Sequence, residues 1–252
     1  MRTELYPQGL EIVTVSLEMR GPEFSRPYIE AAQPGHPSLL DPTHQMAALF
    51  GTVNIPNVIW IDEDGMIVRP AEPGWPNGAT EIPATMRTSM PRTGRAPRAP
   101  KPPEVKADQR AVIGSGQDRA AYADRLRDWV AHGPRSPYSL SPEEVVDRSQ
   151  ARPIGVSAGA AHFELANRLW SDGRRDLAIP HFNECHRLQP ENWTYKRQAW
   201  SLVGQERVGG EFGAWVQGPL EGEEADWPFD SDFRSDMTLL SEGQYYPDTF
   251  TA

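Results

Sequence analysis

Apolar positions along this chain recur first with the period of strands and later with the period of helices. Leu10 to Leu17 (LEIVTVSL) is mostly β-branched and nearly continuous in its apolar residues, the pattern of a central strand buried on both faces. Before it, residues 1–7 read as the last turns of a helix cut off by Pro7 and Gly9. A short helix over Pro22 to Ala32 and a short strand over Ser38 to Leu40 follow. Asp41-Pro42 predicts a helix start, Asp as N-cap and Pro at the first helical position. Met46, Leu49 and Phe50 give that helix one apolar face, and Gly51 ends it. Val58 to Ile61 predicts a buried strand, Asp62-Glu63-Asp64-Gly65 a tight turn, and Met66 to Val68 an antiparallel return.

Beyond Pro70 the period is lost until Lys106. Prolines recur there, interleaved with Arg87, Arg92, Arg95, Arg98 and Lys101, which predicts an extended linker or draped loop. Ala120 to Ala131 predicts an amphipathic helix with Tyr122, Leu126, Trp129 and Val130 on one side. Ser141-Pro142-Glu143-Glu144 marks a further helix start. Residues 158–204 carry the strongest helical pattern, and the tail from Gly209 is aromatic and acidic with no sustained period.

Composition narrows the function classes. The net charge of −10 argues against a nucleic-acid partner, since phosphate contacts need clustered Lys and Arg. A single cysteine, Cys185, excludes an internal disulfide framework and a Cys-rich zinc site. No stretch reaches the ~20 apolar residues of a membrane span, and MRTELYPQG lacks a signal-peptide core. Taken as it stands, the chain is expected in the cytoplasm.

The ordered motifs EIVTVSLE and LLDPTHQMAALFGTVNIPNVIWIDEDGMIV, within residues 10–69, resemble the thioredoxin superfamily. Within it they are similar to the TlpA/ResA-like thiol–disulfide oxidoreductases and the AhpC/TSA-type peroxiredoxins. The matching positions are Asp41, Val53 to Pro56, and Ile61-Asp62-Glu63-Asp64-Gly65. The resemblance implies a cis Ile55–Pro56 bond and a substrate groove at Asn54, Ile55, Pro56 and Asn57, where the residue before the proline pairs with an extended substrate. It also implies thiol (or selenol) redox exchange, yet the family's redox motif should precede Leu10, and no catalytic residue stands in this chain. A start downstream of the true one, a selenocysteine codon read as a stop, or a redox-dead binding domain would each account for that. The chain as given is expected to be inactive.

The stretch AAHFELANRLWSDGRRDLAIPHFNECHRLQPENW, residues 160–193, resembles one tetratricopeptide repeat. Leu165, Ala166 and Leu169 fill first-helix positions, Gly173 the turn, Ala178, Phe182 and Cys185 the second helix, and Pro190 the close. Such helix pairs bind partner peptides in that family, so a non-enzymatic peptide-binding module is the alternative function. The expected partner is a protein thiol or disulfide, or a peptide.

The expected fold class is therefore α/β, a thioredoxin-like central sheet with flanking helices followed by an α-helical tetratricopeptide-like region. The expected divisions are residues 1–78 (truncated thioredoxin-like), 79–118 (Pro/Arg-rich linker), 119–206 (helical) and 207–252 (acidic aromatic tail). No cofactor and no metal is expected. His181 and Cys185 have the spacing of a metal pair, with His186 beside them, but three ligands are not evident. Asp62-x-Asp64-Gly65 lacks the remaining ligands of a calcium loop, and Gly114-Ser115-Gly116 is too short for a dinucleotide fingerprint.

Overall fold

The computed structural model describes residues 1–74, 119–149, 151–208, 216–220, 222–240 and 245. Helix α1 (Arg2–Leu5) leads into β1 (Thr14–Ser16), α2 (Pro22–Ala32), β2 (Ser38–Leu40), α3 (Gln45–Phe50), β3 (Asn57–Ile61) and β4 (Ile67–Pro73). Then come α4 (Arg119–His132), α5 (Pro142–Ser149), α6 (Ile154–Ser171), α7 (Arg175–Leu188), α8 (Trp193–Val208) and α9 (Phe233–Thr238). Most of the Pro/Arg-rich stretch and Gly114-Ser115-Gly116 lie outside the described residues.

Among the described residues the expected central sheet does not form. The described strands form two separate two-stranded sheets, β1 parallel to β2 and β3 antiparallel to β4, and helices dominate the rest. The strand predicted over Leu10 to Leu17 shrinks to Thr14–Ser16, paired on one edge only, and Val13 is 52% exposed rather than buried. A continuous apolar run forms a central strand only when neighbours pair both edges and cover both faces. Among the described residues β1 has one such neighbour, Ser38–Leu40.

Other local expectations hold with adjustments. The Asp62 to Gly65 turn closes β3 onto β4, with Gly65 at φ 80° and Asp62 Oδ1 accepting from the Asp64 and Met66 amides. Asp41 caps α3, but from a distance. Its carboxylate accepts from the Gln45, Met46 and Ala47 amides at 2.8, 2.8 and 3.2 Å, while Pro42 lies outside the helix and His44 takes a left-handed φ of 56°. Ser141 and Glu144 form a reciprocal capping box at the start of α5, each backbone amide donating to the other's side chain.

Two cores result. In the smaller one, Trp60 of β3 donates its indole N–H to the Tyr122 hydroxyl at 2.9 Å and stacks on Trp129 at 4.9 Å, so α4 packs against the β3–β4 hairpin. The larger one is the α6–α7 hairpin with α8 and the C-terminal segment. Ala166 and Ala178 are fully buried, which lets α6 and α7 approach, and Phe182 fills the space between them. Gly173, at φ 76°, makes the turn. The tail segment is integral to this core, with Phe229, Met237 and Tyr245 buried in it.

The first core region is tied to the helices. Thr194 donates its amide to the Val53 carbonyl at 3.2 Å, and Met19 donates to Gln198 at 3.0 Å. His44 sits edge-on to Phe163 at 5.0 Å. No described helix is long and apolar enough to cross a membrane.

Candidate functional site

The Ile55–Pro56 bond is cis, in line with the thioredoxin resemblance. The surrounding groups are nevertheless engaged within the chain. The Ile55 amide donates to Asn54 Oδ1 at 2.9 Å, and the Asn54 amide group donates to the Tyr245 carbonyl at 2.8 Å. Asn54 is 4% exposed and Ile55 46%. Thus Asn54 serves as an internal tie, Ile55 stands at the surface, and one of the Ile55 backbone groups that the resemblance assigns to substrate, its N–H, already has a partner.

Cys185 is fully buried between the helices of the hairpin, and burial pushes its thiol above the usual range. It cannot act as a thiolate at neutral pH in this position. The residues weighed as a metal set also diverge. His181 Nδ1 lies 2.8 Å from His162 Nδ1 on α6, while His186 Nδ1 lies 3.0 Å from the Ser231 hydroxyl. Among the described residues no group of three or more His, Cys, Asp or Glu could hold a metal ion.

The site that the structure does build lies elsewhere, where α7, the turn into α8 and the C-terminal segment meet. The turn is fixed by amide side chains. Asn192 Oδ1 caps α8 by accepting from the Tyr195 amide at 3.1 Å, its Nδ2 donates to Gln189 Oε1 at 2.9 Å, and Gln189 Nε2 donates to the Val156 carbonyl at 2.8 Å. This holds Trp193 and Lys196, both buried, facing the C-terminal segment. Lys196 Nζ donates to the Pro190 carbonyl and to Asp236 Oδ2 at 2.6 Å. Asp232 caps α9 by accepting from the Arg234 and Ser235 amides at 2.8 and 2.9 Å.

Between these elements is a cavity of about 910 Å³. Its apolar wall comes from Ile179, Pro180, Pro190, Trp193, Leu239 and Leu240. Its polar groups are Asn183, Glu184, Arg187, Glu191, Lys196 and Asp230, with Asp236 and His186 behind. His186 is 5% exposed, and burial lowers its pKa to about 3, so the ring is neutral. Among the described residues, His186 Nε2 and Trp193 Nε1 are buried with no hydrogen-bond partner. An apolar recess of this size with a few convergent polar groups is the usual form of a ligand site.

Apart from His186, weighed with His181 and Cys185 as a metal ligand, the sequence singles out none of these residues for binding. Trp193 and Lys196 lie one turn apart on a helix, which is a weak signal, and Asp230 and Asp236 carry none, because no local pattern ties them to α7. No protein-family model matches the chain, and neither does any curated protein or any solved structure. The thioredoxin and tetratricopeptide resemblances therefore rest on the quoted motifs alone.

Proposed function

We propose that this chain is a protein-interaction module that binds a peptide in the cavity between α7, α8 and the segment around α9. The cavity itself carries the reading. Its volume, about 910 Å³, accommodates a few side chains of a bound segment, and its wall combines exposed Leu239 with prolines and an indole. It lies along the second helix of the hairpin that resembles a tetratricopeptide repeat, a family whose helix pairs bind peptides. Thiol–disulfide exchange, the other function implied by resemblance, needs a reachable thiolate, and the only cysteine of the chain is buried.

Selection of a displayed random-peptide library on the full chain tests this. The expected result is an enriched set of sequences that lose binding when Ile179→Trp fills the recess or Leu239→Asp charges its lip. Absence of enrichment, or enrichment indifferent to both substitutions in variants with native circular dichroism, overturns the proposal.

A further inference from the structure

We infer that the peptide taken by this cavity is cationic, presenting arginine or lysine beside apolar residues; the inference rests on the cavity being the peptide site. The positive groups of the cavity are already matched. Arg187 is paired with Glu184 one turn earlier on α7, and Lys196 is paired with Asp236 at 2.6 Å. Glu191 and Asp230 also line the cavity, both are exposed, and neither has an ion-pair partner among the described residues. The lining thus presents two unmatched carboxylates and no unmatched cation, His186 being neutral.

The two carboxylates border an apolar recess rather than a flat solvated surface. Its wall is apolar, formed by Ile179, Pro180, Pro190, Trp193, Leu239 and Leu240. An anionic segment would bring like charge to Glu191 and Asp230 and find Lys196 and Arg187 already engaged, so it is disfavoured. A cationic segment gains both carboxylates at the rim while its apolar residues cover Ile179, Pro180, Trp193 and Leu239. The net charge of −10 adds long-range attraction for the same partners.

The test uses two fluorescein-labelled peptides, one repeating Arg-Pro-Leu and one repeating Glu-Pro-Leu, titrated with the full chain and read by fluorescence polarisation. The arginine peptide is expected to bind at least about tenfold more tightly, with the difference shrinking as salt rises. The variant Glu191→Lys/Asp230→Lys is expected to reverse the preference, and Glu191→Gln/Asp230→Asn to weaken it. Both sites are exposed, so folding is expected to survive, and circular dichroism checks it. Equal binding of the two peptides, unchanged by charge reversal, overturns the cationic ligand while leaving peptide binding intact. Failure of both peptides, when library selection still yields cavity-dependent binders of neutral or acidic sequence, overturns it as well. Failure of both together with an empty selection overturns the peptide site itself.

Discussion

Lys196 Nζ lies 2.6 Å from Asp236 Oδ2, with the lysine side chain buried and that of the aspartate largely so, and this pair fastens α9 to α8. Lys196 also donates to the Pro190 carbonyl, so the same ammonium holds the turn that precedes α8. Removing one member of a buried pair leaves the other charged and unmatched, which costs more than the pair itself contributes. Asp236→Ala is therefore expected to destabilise the chain by about 3 kcal/mol. The double variant Lys196→Met/Asp236→Leu is expected to lose much less. Urea unfolding of the parent chain, Asp236→Ala and the double variant checks this.

Stability is expected to fall on mild acidification. His44 is 1% exposed and His186 5%, and burial lowers their pKa values to about 4 and about 3 from the usual 6.5. Asp41 and Glu18 partly offset the shift at His44, whereas Lys196 reinforces it at His186. Above 6.5 both rings are neutral in the folded and the unfolded chain. Below it the unfolded chain takes up protons that the buried rings refuse, so stability drops as pH falls through the window from 6.5 toward the folded values. The slope approaches about 1.4 kcal/mol per pH unit for each ring. His186→Phe, which keeps an aromatic face toward Trp200 and Phe229, is expected to remove its share of that slope between about pH 6.5 and about pH 5. An unchanged slope in that variant would show that His186 is protonated in the folded state.

What was legible in the sequence is what short-range geometry decides. The Ser141/Glu144 capping box, the turn at Gly65 and the small residues Ala166 and Ala178 at a helix–helix contact are local or nearly so. The apolar run at Leu10 to Leu17 reports only that a strand could be buried, not that strands exist to bury it, so it does not by itself build a central sheet. The aromatics of the tail have no period, a pattern that predicts irregular structure. Their spacing instead reflects surfaces on α7 and α8 tens of residues away, where Phe229 meets Phe182 and Tyr245 meets Trp193. The cavity was invisible for the same reason, as its halves come from 179–196 and 230–240.

Two glycines of α6 separate close packing from helix propensity. A Cβ on Gly159 would lie 2.8 Å from Gln189 Nε2 and 2.9 Å from its Cγ. Gln189 cannot retreat cheaply, because it is 3% exposed and bonded to both Val156 and Asn192. A Cβ on Gly155 would meet only Leu188 Cδ2, at 3.9 Å. Gly159→Ala is expected to destabilise by about 1–2 kcal/mol despite the better helix former. Gly155→Ala is expected to be neutral or to stabilise by up to about 1 kcal/mol. Thermal unfolding of the two variants checks the contrast, and equal shifts would remove the case for a tight α6–α7 crossing at Gly159.

Cys185 provides the sharpest test of whether this chain carries out thiol chemistry. Its side chain is fully buried among Phe163, Phe182 and Trp200 of the hairpin core, and burial raises its pKa. Attack on a disulfide needs both access and a thiolate, and the native position denies both. A thiol reagent is therefore expected to label the native chain only as fast as the hairpin opens, and to label the urea-unfolded chain at the rate of a free cysteine. A disulfide-reduction assay is expected to show no turnover, before or after Cys185→Ser. Rapid labelling under native conditions would mean that the hairpin core opens readily. Turnover surviving Cys185→Ser would mean that the chain carries redox chemistry by a group other than a thiol.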